Sequence, residues 1–347
     1  MKRTRLVAAL VGVTLGVTLS ACGLGSASGG GDGDTSTVTI YTSRPKAITG
    51  DVVAGFEGAN PKCKVQLLTL GAQEVADRIR AERARPQADV WWGGTSQQFE
   101  QGVTNGALEA FPQPIIDRVP KADRGTDNLW LGEQQLAQVI AYNHDMMTAD
   151  QAPKDWDDLI DPQYQDKILI RDVAPSGTMR AIYSALIDRT YETTGTPDQG
   201  YEFLLKLDAN TKDYTANPTD LYLRIQRQEA PLTVWNLQDI LTQAQGGVPF
   251  TPVVPTSGSP TLLDGVGKVK GAPNQACADA FGTYLLAEAT QTMLAKDHFQ
   301  IPTVQIAEQP SWLTDLKLHE LQVNWDTIEA NSNEWIDYWV QHIKNQG

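Results

Sequence analysis

The sequence predicts an α/β protein of two domains. Two stretches, one on each side of a middle segment, alternate short apolar strands with helical patterns, which is the signature of sheets crossed by helices. The chain that follows the N-terminal leader, roughly 310 residues, exceeds what one compact core usually supports. The leader is legible as such: Lys2, Arg3 and Arg5 precede an apolar run over residues 6–19 that ends in small residues, the pattern of a secretion signal. That run is shorter than the about 20 apolar residues of a membrane span, and no later stretch approaches that length, so the rest of the chain is expected to be soluble.

The elements follow in order. Thr37-Val38-Thr39-Ile40-Tyr41 alternates as a strand, Thr42-Ser43-Arg44-Pro45 breaks it, and residues 47–56 read as a helix. Lys64-Val65-Gln66-Leu67-Leu68 is a second strand, residues 73–85 a charged amphipathic helix, and Ala88-Asp89-Val90-Trp91-Trp92 a third strand ended by Gly93-Gly94. Strand, helix, strand, helix, strand implies parallel pairing with right-handed crossovers. The pattern returns with a strand at residues 166–170, a turn at Pro175-Ser176-Gly177-Thr178, helices at 179–188 and 220–228, and a strand at 232–235. These define a second sheet. Residues 253–269 are rich in Pro and Gly with strand-like ends, 274–289 read as one helix, and the tail at 325–343 is a helix with Trp335, Ile336 and Trp339 on its apolar side.

Composition narrows the function. The formal charge is −14, and loss of the three basic leader residues makes the mature chain more acidic still, so nucleic-acid binding is excluded as a class. An anionic small ligand is not excluded, because a recessed site answers to its nearest donors and dipoles. Leu19-Ser20-Ala21-Cys22 resembles the lipobox of bacterial lipoproteins, which implies cleavage before Cys22 and attachment of lipid to it; doubly acylated anchors hold stably to a bilayer. Residues 1–21 are then the signal peptide. Residues 22–37, dominated by Gly, Ser and Asp, form a flexible tether with a reach on the order of 20 Å. Cys63 and Cys277 remain, either as a disulfide in an oxidising compartment or as two buried thiols. The four His are scattered and show no ligand spacing with the cysteines, so neither a metal nor a cofactor is expected.

Taken in order, the opening TVTIYTSRP, ADVWWGG followed by Asn105-Gly106-Ala107-Leu108-Glu109, Trp156-Asp157-Asp158-Leu159, Pro175-Ser176-Gly177-Thr178, Val269-Lys270-Gly271-Ala272-Pro273-Asn274 and Asn333-Glu334-Trp335-Ile336 resemble the extracellular solute-binding proteins of ABC importers. The branch is the one that includes ferric-ion, sugar-phosphate and aminoethylphosphonate binders. The resemblance implies a two-lobed, type II periplasmic-binding fold with the ligand in the interlobe cleft. It sets lobe 1 at residues 38–133 and 253–302 and lobe 2 at 134–252 and 303–347. It also implies a monomer outside the cytoplasm that works with the permease and ATPase subunits of an importer.

Candidate ligand contacts lie at strand ends that open into helices. Ser43 and Arg44 end the first strand, and a guanidinium suits carboxylate or phosphate. Thr95 and Ser96 follow Gly93-Gly94 and can cap the next helix. Trp91 and Trp92 point to opposite faces of a strand, so one is core and the other is free to border the cleft. Ser176, Gly177 and Thr178 at a helix start place hydroxyls beside unpaired N–H groups, a setting that favours an anion, although a plain Ser cap uses the same residues. Arg171 and Arg180 are near in sequence. Trp235, Asn236 and Asp239 offer an apolar wall and polar groups, or else a capped strand end. By the resemblance, Asn236 and Leu237 fall where ferric-binding relatives carry adjacent tyrosines, while Pro45 and Gly94 fall at their His and Glu ligands. None of the four supplies an anionic oxygen, so direct iron binding is not expected.

The expected function is capture of a small anionic organic solute, a phosphonate or phosphate ester. A neutral sugar, a polyamine or a ferric chelate is the alternative. A hydrolase is not expected, since the chain has no G-x-S-x-G turn, no H-E-x-x-H and no paired metal cluster. Asp157, Asp158 and Asp161 are acids at a helix start.

Overall fold

Apolar alternation over residues 37–41 produces a buried strand, and the same logic repeats through the computed structural model, which describes residues 35–346. In order the elements are β1 (Ser36–Thr42), α1 (Lys46–Ala59), β2 (Cys63–Thr69), α2 (Ala72–Glu82), β3 (Val90–Thr95), α3 (Ser96–Thr104), β4 (Leu108–Glu109), α4 (Gln113–Ile116) and β5 (Trp130–Asn143). Then come β6 (Ile168–Arg171), α5 (Gly177–Thr194), α6 (Asp198–Asn210), β7 (Thr211–Thr215), α7 (Pro218–Gln226), β8 (Leu232–Asn236) and α8 (Leu237–Gln245). The chain ends with β9 (Phe250–Val253), β10 (Thr261–Val269), α9 (Gln275–Leu285), α10 (Glu288–His298), β11 (Ile301–Pro302), α11 (Ser311–Asp315) and α12 (Trp325–His342). Cys22 and most of the tether lie outside the described residues. Ser36 and Thr37, read from sequence as the end of the tether, are instead the start of β1 and pair with Cys63 and Lys64.

The strand order is β2-β1-β3-β10-β5-β8-β6-β7, with β4 beside β10 and with β9 and β11 beside β5. As the alternation requires, β1 runs parallel to β2 and β3, and β6 runs parallel to β7 and β8. The middle is antiparallel, which sequence reading did not anticipate: β10 opposes β3 and β5, and β5 opposes β8 and β9. Strand β5 belongs to both halves. Its residues from Trp130 to Ala137 pair with β10, and those from Gln138 to Tyr142 pair with β8. The two sheets are therefore joined through one continuous strand, and β9 and β10 cross beside it in the opposite direction.

Two lobes form around this crossing. One has a core on each face of its sheet: Val38, Ile40, Phe56, Trp92 and Phe281 on the first, Tyr41, Ile79, Trp91 and Phe99 on the second. Trp91 and Trp92 are both fully buried, so neither borders the cleft. Trp91 stacks on Phe99 and Trp92 meets Phe281 edge-on. The other lobe packs β6, β8, α5, α6 and α12 around Trp156, Tyr183, Leu204, Trp335 and Trp339. Cys63 and Cys277 are bonded as a disulfide, with Cα atoms 5.8 Å apart, and tie the start of β2 to α9. Residues 274–289, read as one helix, are two; Ala287 adopts an extended conformation between them. Packing of Leu285, Leu286 and Leu294 into the core overrides the helical propensity of that segment.

Candidate ligand cleft

Each lobe presents a helix start to one shared cavity of about 1470 Å³. On one side β3 ends in Gly93 and Gly94, whose φ values of 88° and 139° suit glycine, and the chain turns directly into α3. A side chain at Gly93 would meet the Ser43 hydroxyl at 2.9 Å. Gln98 bonds back to the Thr95 backbone N–H at 3.0 Å, which fixes the turn. On the other side the Ser176 hydroxyl accepts from the Met179 N–H at 3.2 Å and caps α5. That leaves the first N–H groups of α5, those of Gly177 and Thr178, without partners inside the helix.

Ser43, Thr95, Ser96, Gly177 and Thr178 all line this cavity. The structure therefore brings together five of the ten residues read from sequence, with Ser176 directly behind as the cap. The other four lie elsewhere. Arg44 is 5% exposed; it donates to Glu133 and, at 2.9 Å, to Asp264. Trp235, Asn236 and Asp239 form a closed network with Tyr222: Asp239 accepts from the Tyr222 hydroxyl, the Trp235 indole and the Asn236 amide at 2.8–2.9 Å. Asn236 also caps α8 through the Asp239 N–H. These three hold the strand-to-helix turn and are not among the cavity residues, because their polar groups satisfy one another. Burial and the adjacent Asp239 carboxylate push the Tyr222 phenol well above its ordinary range.

Of the charged wall residues, Arg180 is legible in the sequence beside the Ser176 turn, whereas Arg124 and most of the acids escaped sequence reading. Arg124 lines the cavity and bonds the Val119 carbonyl at 2.7 Å; Arg180 lines it and bonds Asn333 at 2.6 Å. Arg171 instead points to the Asp172 and Thr215 carbonyls. Glu100, Asp326 and Glu329 share the wall with Glu74, Asp123, Asp264 and Glu320. Burial raises the Glu329 carboxyl above its usual range, with Glu100 and Asp326 adding repulsion, and burial raises Asp123. Asp326 and Glu329 reach the wall because α12 folds back to the cleft, and Asp264 because β10 does, which no local motif signals. Away from the two helix starts, carboxylates outnumber guanidiniums. Among the described residues no group of three His, Cys, Asp or Glu is set to hold a metal ion, and no helix is long and apolar enough to cross a membrane.

Two lobes joined by crossing strands, with helix starts facing across a polar cleft, are the architecture of a protein that encloses a small solute. The chain belongs to the bacterial extracellular solute-binding protein family, whose model matches residues 89–331. It is 27% identical over 346 residues to an uncharacterized protein of Haemophilus influenzae, covering 96% of this chain and 98% of that protein. It is 25% identical over 279 residues to iron uptake protein A1 of Synechocystis sp., covering 77% and 76%. The periplasmic binding protein AfuA of Actinobacillus pleuropneumoniae, solved with fructose-6-phosphate, matches with a TM-score of 0.73 and 27% identity over 89% of this chain and 99% of that one. The family consists of extracytoplasmic solute-binding proteins of ABC importers, not enzymes. It implies a small-molecule solute and a membrane transporter as partners.

Proposed function

We propose that this chain captures a small organic anion bearing a phosphate or phosphonate group and delivers it to the importer. The observation that carries the reading is that α3 and α5, from opposite lobes, open their N-termini onto one cavity. Each offers unpaired N–H groups and the positive end of a helix dipole, and Ser43, Thr95, Ser96 and Thr178 add hydroxyl donors. Arg124 and Arg180 supply positive charge on the same wall. An oxyanion held between the two mouths would draw the lobes together, since each contributes donors that the other cannot supply. The cavity exceeds the about 300–1,000 Å³ usual for a small-molecule pocket, which leaves room for that closure.

The chain acts as a monomer, with lobes divided at about residues 133, 253 and 302. Lipid on Cys22 tethers it to the membrane; Cys22→Ser would release it from the membrane fraction. The excess of wall carboxylates favours a second reading, a polyamine. Calorimetry separates the two: n-propyl phosphate binds under the first reading and spermidine under the second. Ser176→Ala combined with Thr178→Ala is expected to weaken n-propyl phosphate at least tenfold, about 1.4 kcal/mol. Unchanged affinity would remove the α5 mouth from the site.

A further inference from the structure

Behind the cavity wall lies a buried charge cluster that the anion contacts do not use. Arg44 reaches two strands at once, Glu133 on β5 and Asp264 on β10, and β5 is the strand that runs on into the other lobe. Glu133 is fully buried, whereas Asp264 is 14% exposed and sits on the cavity wall at a shift of register between β10 and both its neighbours. The Asp264 Oδ2 accepts from Arg44 and, at 3.3 Å, from the Gln134 amide. Its Oδ1 accepts from no group of the described residues. Gln134 is 1% exposed, and its Oε1 also lacks a partner. The amide cannot be turned over to relieve this, because Asp264 requires a donor from it. At this point the cavity wall thus carries one free carboxylate oxygen, that of Asp264; in the buried cluster behind it two carboxylates meet one guanidinium, and Gln134 Oε1, Glu133 Oε1 and Arg44 Nε are without partners among the described residues. An ionised carboxylate oxygen can only accept, so a solute group that meets Asp264 Oδ1 must be a donor.

We infer that Asp264 contacts the solute directly and accepts a hydrogen bond from an O–H or N–H group on its organic part, and that Arg44 is a positioning residue that holds Asp264 in place and ties it to the crossing strand β5. The assignment rests on the anionic reading of the cleft and adds to it a second pole. The solute carries its oxyanion toward the helix mouths and a donor toward Asp264, so a bare alkyl phosphate is an incomplete ligand. Arg44, although absent from the wall, then influences selectivity through Asp264.

The test uses the full chain in detergent and three probes by calorimetry: n-propyl phosphate, which has no donor on its organic part, glycerol 3-phosphate, which has hydroxyls, and 3-aminopropyl phosphate, which has an ammonium. In the native protein at least one donor-bearing probe is expected to bind tenfold or more tighter than n-propyl phosphate, and the tighter one identifies the donor. Asp264→Asn is expected to reduce that ratio below threefold. Arg44→Lys keeps the charge but loses the two-pronged grip, and narrows the ratio in the same direction; a merely structural role would shift all three affinities together. Equal affinity for the three probes in the native protein overturns the Asp264 assignment and leaves the anion mouths standing. A ratio that persists in Asp264→Asn overturns it as well. Failure of every phosphate probe overturns both readings. The native series decides the matter even if a variant does not fold.

Discussion

Replacing Arg44 by Met tests the energetics of the buried cluster behind the cavity wall. The guanidinium is 5% exposed and faces a Glu133 carboxyl that is fully buried. Removing one partner of a buried pair leaves an uncompensated charge and costs about 3–5 kcal/mol. Over roughly 310 residues the unfolding entropy is about 0.65 kcal/mol/K, so the melting temperature should fall by about 5–8 °C at pH 7.5. The pH dependence follows from Glu133, whose carboxyl is already held above its usual range by burial, with Arg44 pulling it down and Asp264 pushing it up. Loss of Arg44 raises it further. A carboxyl with a raised folded pKa binds its proton more tightly when folded. Its penalty is full above the folded pKa, shrinks as pH falls through that value, and is gone below the unfolded value near 4.3. The gap between native and Arg44→Met proteins should therefore narrow from pH 7.5 to pH 5. Urea melts at the two pH values check this, and an equal gap at both, or one below about 1 kcal/mol at pH 7.5, refutes the reasoning.

Reduction of the Cys63–Cys277 bond opens a closure of 214 residues. The chain-entropy limit is about 5 kcal/mol and measured values are typically about 2–4, so dithiothreitol should lower the melting temperature of the native protein and leave that of Cys63→Ala/Cys277→Ala unmoved. Asp239→Ala strips an acceptor from Tyr222, Trp235 and Asn236 together. It should destabilise by about 1–3 kcal/mol in urea melts, while calorimetry with n-propyl phosphate should show affinity within twofold of native.

The parallel halves of the sheet were legible because their strands are bounded runs: Val38 and Ile40 alternate with polar residues, and Leu232-Thr233-Val234-Trp235 is continuously buried as a central strand must be. The crossing strand was not. Residues Glu133-Gln134-Gln135-Leu136-Ala137-Gln138 lie in β5, yet they favour helix by intrinsic preference and show no period of two. They are strand because β10 and β8 claim successive parts of the backbone, one in each lobe. No local signal records that demand. The same strand carries Glu133 and Gln134, so missing it also concealed the buried groups that surround Arg44 and Asp264 behind the cavity wall.

The candidate site divides along the same line. Helix mouths are local: Thr95-Ser96 after two glycines and Ser176-Gly177-Thr178 before an apolar period can be read from a few adjacent residues, and both reach the cavity. Side-chain direction is not local. Arg44 and Asp239 have the chemistry of ligand contacts, but a charged group at a strand end turns to whichever opposite charge or donor the fold brings nearest. For Arg44 those are Glu133, 89 residues away, and Asp264, 220 residues away; for Asp239 they are Tyr222 and Trp235. Sequence therefore locates where an anion can be received, because backbone N–H groups at a helix start point outward whatever surrounds them. It does not locate the other end of the solute, because acceptors such as Asp264 become available only after distant partners have taken one oxygen and left the second facing the cleft.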